Sequence, residues 1–235
     1  MENTFTAFFD PPFVQGNLMG PNCLRLLEEL LESVDIRDAA RVLDLGCGTG
    51  LTSMSLASRS KAQVVAYDLW IDPTENGKRF ARCGFADRIV PVQGRAQAMP
   101  LARRFFDAVF CIDAYCYFGA AAGFLEYALA PFVKPGGLIA LAIPGLKKDF
   151  TDEVPEVLRP YWQEDINFYS AAWWADLFGR CPAVRLERCF SMACHDAAWR
   201  DWLACNHPYA VRDRDMMRAE AGLYFDTIGV VARVV

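Results

Sequence analysis

Apolar positions along the chain follow two periods that alternate. Cys23, Leu24, Leu27, Leu30, Leu31 and Val34 share one face at helical spacing, while Arg25, Glu28, Glu29 and Glu32 fall elsewhere; this predicts a helix opened by Pro21. Val42-Leu43-Asp44-Leu45 then reads as a buried strand interrupted by one acid, running into Gly46, Gly48 and Gly50 and a helix over 51–59. A second strand spans 63–67 and ends at Asp68, so strand, helix and strand form a right-handed crossover unit. Further on, a helix over 74–83 closes at Gly84, and strands follow at 88–93 and 106–112. A helix over 121–133, the turn Lys134-Pro135-Gly136-Gly137 and a strand over 138–143 come next. The remainder reads as a helix over 171–180, a strand over 184–190, a short helix over 197–206 and a strand over 224–234, with Gly229 as a candidate bulge.

Composition narrows the class of molecule. The 235 residues are 54% hydrophobic, enough for a sizeable core in one domain, and no internal repeat or linker divides them. Net charge is −5 without a cluster of lysines and arginines, which argues against a nucleic-acid backbone as partner. No apolar run approaches the roughly 20 residues of a membrane span. The N-terminus has no basic start and apolar core of a leader, so a cytoplasmic protein without stable membrane association is expected, as a monomer or homodimer. Nine cysteines (23, 47, 83, 111, 116, 181, 189, 194 and 205) include no Cys-x-x-Cys pair, and reduced thiols with no metal site are expected.

The candidate chemistry sits at the glycine turn. Glycines at alternate positions let the backbone turn tightly and let a ligand approach it. Asp44 is the unusual residue: a carboxylate on a buried strand is costly unless hydrogen-bonded, and it is read as oriented toward a cationic or donor group. Asp68 stands 18 residues beyond Gly50, at a strand tip where a carboxylate accepts both hydroxyls of a ribose. A dinucleotide turn would need Gly-x-Gly-x-x-Gly, but position 51 is Leu, and Asp44 would repel pyrophosphate while suiting the ammonium of an amino acid.

Arg41-Val-Leu-Asp-Leu-Gly-Cys-Gly-Thr-Gly-Leu51 resembles motif I of the class I S-adenosylmethionine-dependent methyltransferases. Asp68, the segment Gly94-Arg95-Ala96-Gln97-Ala98-Met99-Pro100-Leu101, the tip of the fourth strand and the Lys-Pro-Gly-Gly turn follow in the family's order, over about residues 20 to 145. Arg95 departs from the pattern by standing where the family commonly has an acid, which leaves Ala96 and Gln97 as adenine contacts. The resemblance, closest to the small-molecule and cyclopropane-synthase-like branch, implies a Rossmann-like α/β fold. Its mostly parallel sheet would have seven strands, helices on both faces and a terminal antiparallel strand. Residues 1–20 would form an aromatic N-terminal lid, and 146–180 a substrate-side insertion after strand five. S-adenosylmethionine is the implied cofactor, held by Asp44, Gly46, Cys47, Gly48, Thr49, Gly50, Asp68, Leu69, Ala96, Gln97 and Ile112, with Trp70 flanking the adenine. Asp10-Pro11-Pro12-Phe13 matches an amino-methyltransferase motif in letters, but no hydrophobic strand precedes it, and a proline-stiffened lid is preferred.

Methyl transfer from a sulfonium is an in-line displacement, to which a protein contributes mainly alignment and exclusion of water. A small-molecule acceptor in a closed aromatic pocket is expected, with Asp113, Tyr115 and Tyr117 as catalytic candidates. Phe9, Phe13, Trp70, Trp162 and Trp174 are further aromatic residues to favour the cation. Asp113, Tyr117, His195 and His207 are the candidate bases. Lipid or fatty-acyl modification, and cofactor binding without turnover, stand as alternatives.

Overall fold

The computed structural model describes residues 9–163 and 167–235, so Phe5 and Phe8 of the expected lid and residues 164–166 of the expected insertion lie outside the described residues. The strands are β1 (Arg41–Leu45), β2 (Gln63–Asp68), β3 (Ile89–Gln93), β4 (Phe106–Ile112), β5 (Val133–Leu146), β6 (Val184–Ser191) and β7 (Phe225–Val234). They form one sheet in the order β3-β2-β1-β4-β5-β7-β6, with β1 to β5 parallel and β7 antiparallel to both neighbours. The helices are α1 (Pro11–Asn17), α2 (Cys23–Leu31), α3 (Leu51–Arg59), α4 (Pro73–Arg82), α5 (Ala171–Gly179), α6 (His195–Leu203) and α7 (Pro208–Glu220).

β1 is buried from Val42 to Leu45 and β4 along its length except at Asp107, because both faces of the sheet are covered. On one face Leu24, Leu27 and Leu30 of α2, Leu51 and Met54 of α3 and Trp202 of α6 pack over Val42, Phe110 and Ala140. On the other, Trp174 and Phe178 of α5 pack with Phe106, Leu141, Tyr67 and Tyr115. Burying apolar side chains of this size stabilises the fold by about 1.5–3 kcal/mol each.

Several expectations shift by a physical cause. Asn22, not Pro21, caps α2, its Oδ1 accepting from the Leu24 amide at 3.1 Å. The helix expected over 121–133 is a π-helical turn, Phe124–Leu129, followed by a 3-10 turn, Ala130–Phe132. Gly123, at φ +77°, starts it late, and Pro131 supplies no amide to continue it. Lys134 to Gly137 bulge out inside β5, whose register with β4 jumps from Phe106↔Val133 to Ala108↔Leu138. Gly229 is no bulge: it pairs regularly with Ala142 and Phe190, and its hydrogen side chain makes room for the Phe190 ring, 2.6 Å from where a Cβ would stand. α7 has no counterpart in the apolar pattern because only Ala210 and Glu220 of its thirteen residues are buried.

Candidate active site

A cleft opens at the carboxyl ends of β1, β2 and β4, the end of an open α/β sheet where ligands bind. The glycine turn forms its floor, with φ of +74°, +53° and +83° at Gly46, Gly48 and Gly50, a region that L side chains enter only with strain. The amides of Gly46 and Cys47 both donate to the Tyr67 carbonyl, at 2.7 and 3.2 Å, which locks the turn to β2. From α4, Asn76 donates to the Gly48 carbonyl at 2.9 Å and Arg79 to that of Thr49 at 3.2 Å. The turn is therefore held from two elements that the motif does not contain.

Two compartments share this floor. One, of about 100 Å³, is lined by Gly46, Cys47, Gly48, Thr49, Asp68, Ile112 and Asp113. Asn17, Met19, Gly20, Pro21 and Cys23 also line it, and the Asn17 carbonyl accepts from the Thr49 hydroxyl at 2.5 Å. The other, of about 280 Å³, is lined by Leu69, Gly94, Arg95, Ala96, Gln97 and Phe118. Gly46, Asp68, Trp70, Ala114 and Tyr117 line both. The rings of Trp70 and Tyr117 meet edge-on there, their centroids 5.4 Å apart.

Asp68 stands at this junction, nearly buried. One carboxylate oxygen accepts from the Gly48 amide at 2.8 Å and the other from the amides of Trp70 and Ile71 at 2.8 and 3.0 Å. Asp44 lies deeper, fully buried and behind the cleft wall. Its Oδ2 accepts from the Thr52 and Ser53 hydroxyls at 2.6 and 2.5 Å, whereas Oδ1 has no partner among the described residues. Burial lifts this carboxyl to about 6, the two hydroxyls opposing the rise and the nearby Asp68 adding to it.

Three of the expected site residues do not face the cleft. Asp44 is the first. Gly50 is the second: it caps α3, and its open side takes the ring of Phe80, 2.3 Å from where a Cβ would stand. Tyr115 is the third and is corrected outright. It is fully buried in the core, its ring within 6.2 Å of those of Phe118, Phe124, Trp174 and Phe178. Trp174 and Phe9 are core residues too, not aromatic walls for a cation.

Neither histidine lines the cleft or its cavities among the described residues. His195 is buried, with Nδ1 2.9 Å from the Thr227 hydroxyl, and burial holds its pKa below the ordinary value. His207 caps α7 by accepting the Tyr209 amide at 3.3 Å. Of the four candidate bases, Asp113 and Tyr117 remain at the cleft.

Beyond Asp113 and Tyr117 a third cavity opens, of about 630 Å³. Met19, Gly20, Pro21, Asp113 and Tyr117 line both it and the smaller compartment. Its far side carries Trp162, Phe168, Trp199, Asp213 and Met216. The α7 contribution has no signal in the apolar pattern; the Pro208 that opens the helix is the one local cue.

The site fits S-adenosylmethionine on its own geometry: an orphaned buried carboxylate oxygen, a glycine floor and a carboxylate at the junction of two compartments. Residues 42–137 match the model of the methyltransferase domain family. A sterol 24-C-methyltransferase of Yarrowia lipolytica is 26% identical over 152 residues, 64% of this chain and 40% of that protein. The chain thus spans about two fifths of the length of that curated relative. Among solved structures, phosphoethanolamine N-methyltransferase 2 of Haemonchus contortus with S-adenosyl-L-methionine superposes at TM-score 0.74 and 17% identity, over 99% of this chain and 58% of that one. Geranyl diphosphate C-methyltransferase of Streptomyces coelicolor, with S-adenosyl-L-homocysteine, superposes at TM-score 0.71 and 13% identity, over 89% and 77%. Residues 42–137 thus match a methyltransferase domain, in a chain whose strand order and fold are similar to those of S-adenosylmethionine-dependent methyltransferases.

Proposed function

We propose that the chain transfers a methyl group from S-adenosylmethionine to a small-molecule acceptor. One observation carries this reading: the two-compartment cleft opens past Asp113 and Tyr117 onto a cavity of about 630 Å³, within the range of small-molecule pockets. When bound, the cofactor would supply an electrophilic methyl on a sulfonium. Gly46 to Thr49 and Ile112 would line its amino-acid end, with Asp44 opposite the ammonium from below. Asp68 would take the ribose, and Leu69, Ala96 and Gln97 the adenine. Trp70 and Tyr117 offer aromatic surface near the cation at the junction. The described residues of the 1–20 lid and of the 146–180 insertion would exclude water from the closed complex.

Calorimetric titration tests the cofactor. S-adenosylmethionine and S-adenosylhomocysteine are expected to bind and NADH is not; NADH binding alone would overturn the reading. Asp68→Asn keeps the shape but weakens acceptance from both ligand and turn, and about a tenfold loss of adenosylhomocysteine affinity is expected. Tyr117→Ala, which strips a side chain shared by all three cavities, is expected to lower both cofactor affinity and acceptor turnover. An unchanged cofactor constant would confine Tyr117 to the acceptor side.

A further inference from the structure

The large cavity has a character that an apolar acceptor would not require. Among the described residues Asp113, Asp213 and Asp215 line it, against Arg212 as the one basic lining residue. Asp113 is half-buried at the opening between cavity and cofactor cleft, and no hydrogen bond reaches its carboxyl among the described residues. That carboxyl lies against Gly20, with Oδ2 2.1 Å from where a Cβ would be, so any larger residue there would displace it. Across the cavity, Asp213 Oδ2 is fixed by the Trp202 indole N–H at 2.8 Å. Burial and then the charge of Asp213 push Asp113 up to about 8. A like-charged carboxylate raises a neighbour's pKa, and a cation between the two removes that penalty. The rings of Tyr117, Tyr161, Trp162, Phe168 and Trp199 line the same space, and aromatic faces attract ammonium groups.

Resting on the methyltransferase reading, we propose that the acceptor is an amine whose nitrogen is held between Asp113 and Asp213. A diphosphate acceptor would meet three carboxylates and one guanidinium. A neutral isoprenoid would leave Asp113 without a partner and Asp213 with the Trp202 indole alone, while Asp215 is already paired with Arg218 at 2.8 Å. An amine between Asp113 and Asp213 pairs with both. It also gives Asp113 a defined task. An ammonium has no lone pair with which to attack carbon. Its N–H bond breaks with the electron pair staying on nitrogen, and the proton forms an O–H bond on the Asp113 carboxylate.

The test is equilibrium binding to the full chain, followed by calorimetry, with and without S-adenosylhomocysteine. The probes are N,N-dimethylbenzylamine, a cation at neutral pH, and the neutral N,N-dimethylbenzamide of nearly the same shape. The amine is expected to bind about tenfold or more tightly than the amide. Asp113→Asn and Asp213→Asn should each erase that preference, and Asp213→Asn should leave adenosylhomocysteine affinity unchanged, since Asp213 does not line the cofactor cleft. Equal binding of the two probes, or a preference that survives both substitutions, would overturn the proposal while the cofactor assignment stands. Loss of adenosylhomocysteine binding by the unmodified chain would overturn the methyltransferase reading and this proposal with it.

Discussion

Replacing Tyr115 by alanine is expected to destabilise the protein by about 3–5 kcal/mol, the range for removing a large aromatic from a packed core. Its ring is surrounded by those of Phe118, Phe124, Trp174 and Phe178, and it lines none of the three cavities of the site. Tyr115→Phe should do the reverse. The Tyr115 hydroxyl is buried without a partner among the described residues, and removing it is expected to raise stability by about 1 kcal/mol. Cofactor affinity and acceptor turnover should be retained. Urea unfolding and adenosylhomocysteine titration of the two variants separate the outcomes. A folded Phe variant without turnover would return Tyr115 to the catalytic group from which the structure removes it.

Asp44→Asn is expected to bind the cofactor about tenfold or more weakly and yet to be more stable than the unmodified protein at pH 8. The sign follows from linkage. Folding raises the Asp44 carboxyl from 3.8 to about 6, chiefly by burial, so the folded chain binds this proton more tightly than the unfolded one. Its contribution to stability is intact below the unfolded value and is lost as pH rises through the folded one. By pH 8 the ionised carboxylate costs on the order of 3 kcal/mol. Asparagine removes that cost and can still accept from Thr52 and Ser53. Thermal melts from pH 4 to 8 should show the variant gaining on the original as pH rises, most steeply between 4 and 6. Parallel profiles would show that Asp44 is ionised without penalty, with a partner that the hydrogen-bond geometry does not reveal.

Much of the cofactor half was legible because its signals are local. A strand, a glycine turn and a helix, all between Arg41 and Arg59, announce themselves by period and by residues that tolerate positive φ. Asp68 follows at a set distance, and α3 runs over the residues expected of it. The acceptor half resisted for two reasons. α7 is nearly all polar and touches the core at two residues, so its pattern carries no stripe, although it supplies Asp213 and Met216 to the cavity. Tyr115 and Tyr117 look alike in the sequence because both follow the same strand. They lie in a 3-10 turn, Tyr115–Tyr117, where residues two apart point to different sides. Gly119 leaves space for the ring of Tyr115 beneath, 2.0 Å from where a Cβ would stand, and Tyr117 is left 61% exposed at the cleft. Which of two tyrosines turns inward depends on a glycine further along, and no period encodes it.

The pairing of Leu146 with Phe225 at the end of the β5–β7 ladder joins two points far apart in the chain. Between them the chain departs from the sheet twice, and β6, paired to the outer side of β7, separates the two departures. The first carries Trp162 and Phe168 and is pinned by Leu158 against Leu146 and Phe225, by the Leu146–Ser170 bridge and by α5 in the core. The second carries Trp199 and Asp213 on α6 and α7. The entropy of closing a loop grows only logarithmically with its length. Residues can therefore be gained or lost in the mostly exposed stretch 151–157 at little cost to the strands that carry the cofactor. The domain match ends at residue 137, before both departures, while likeness of fold continues across 89% of the chain or more.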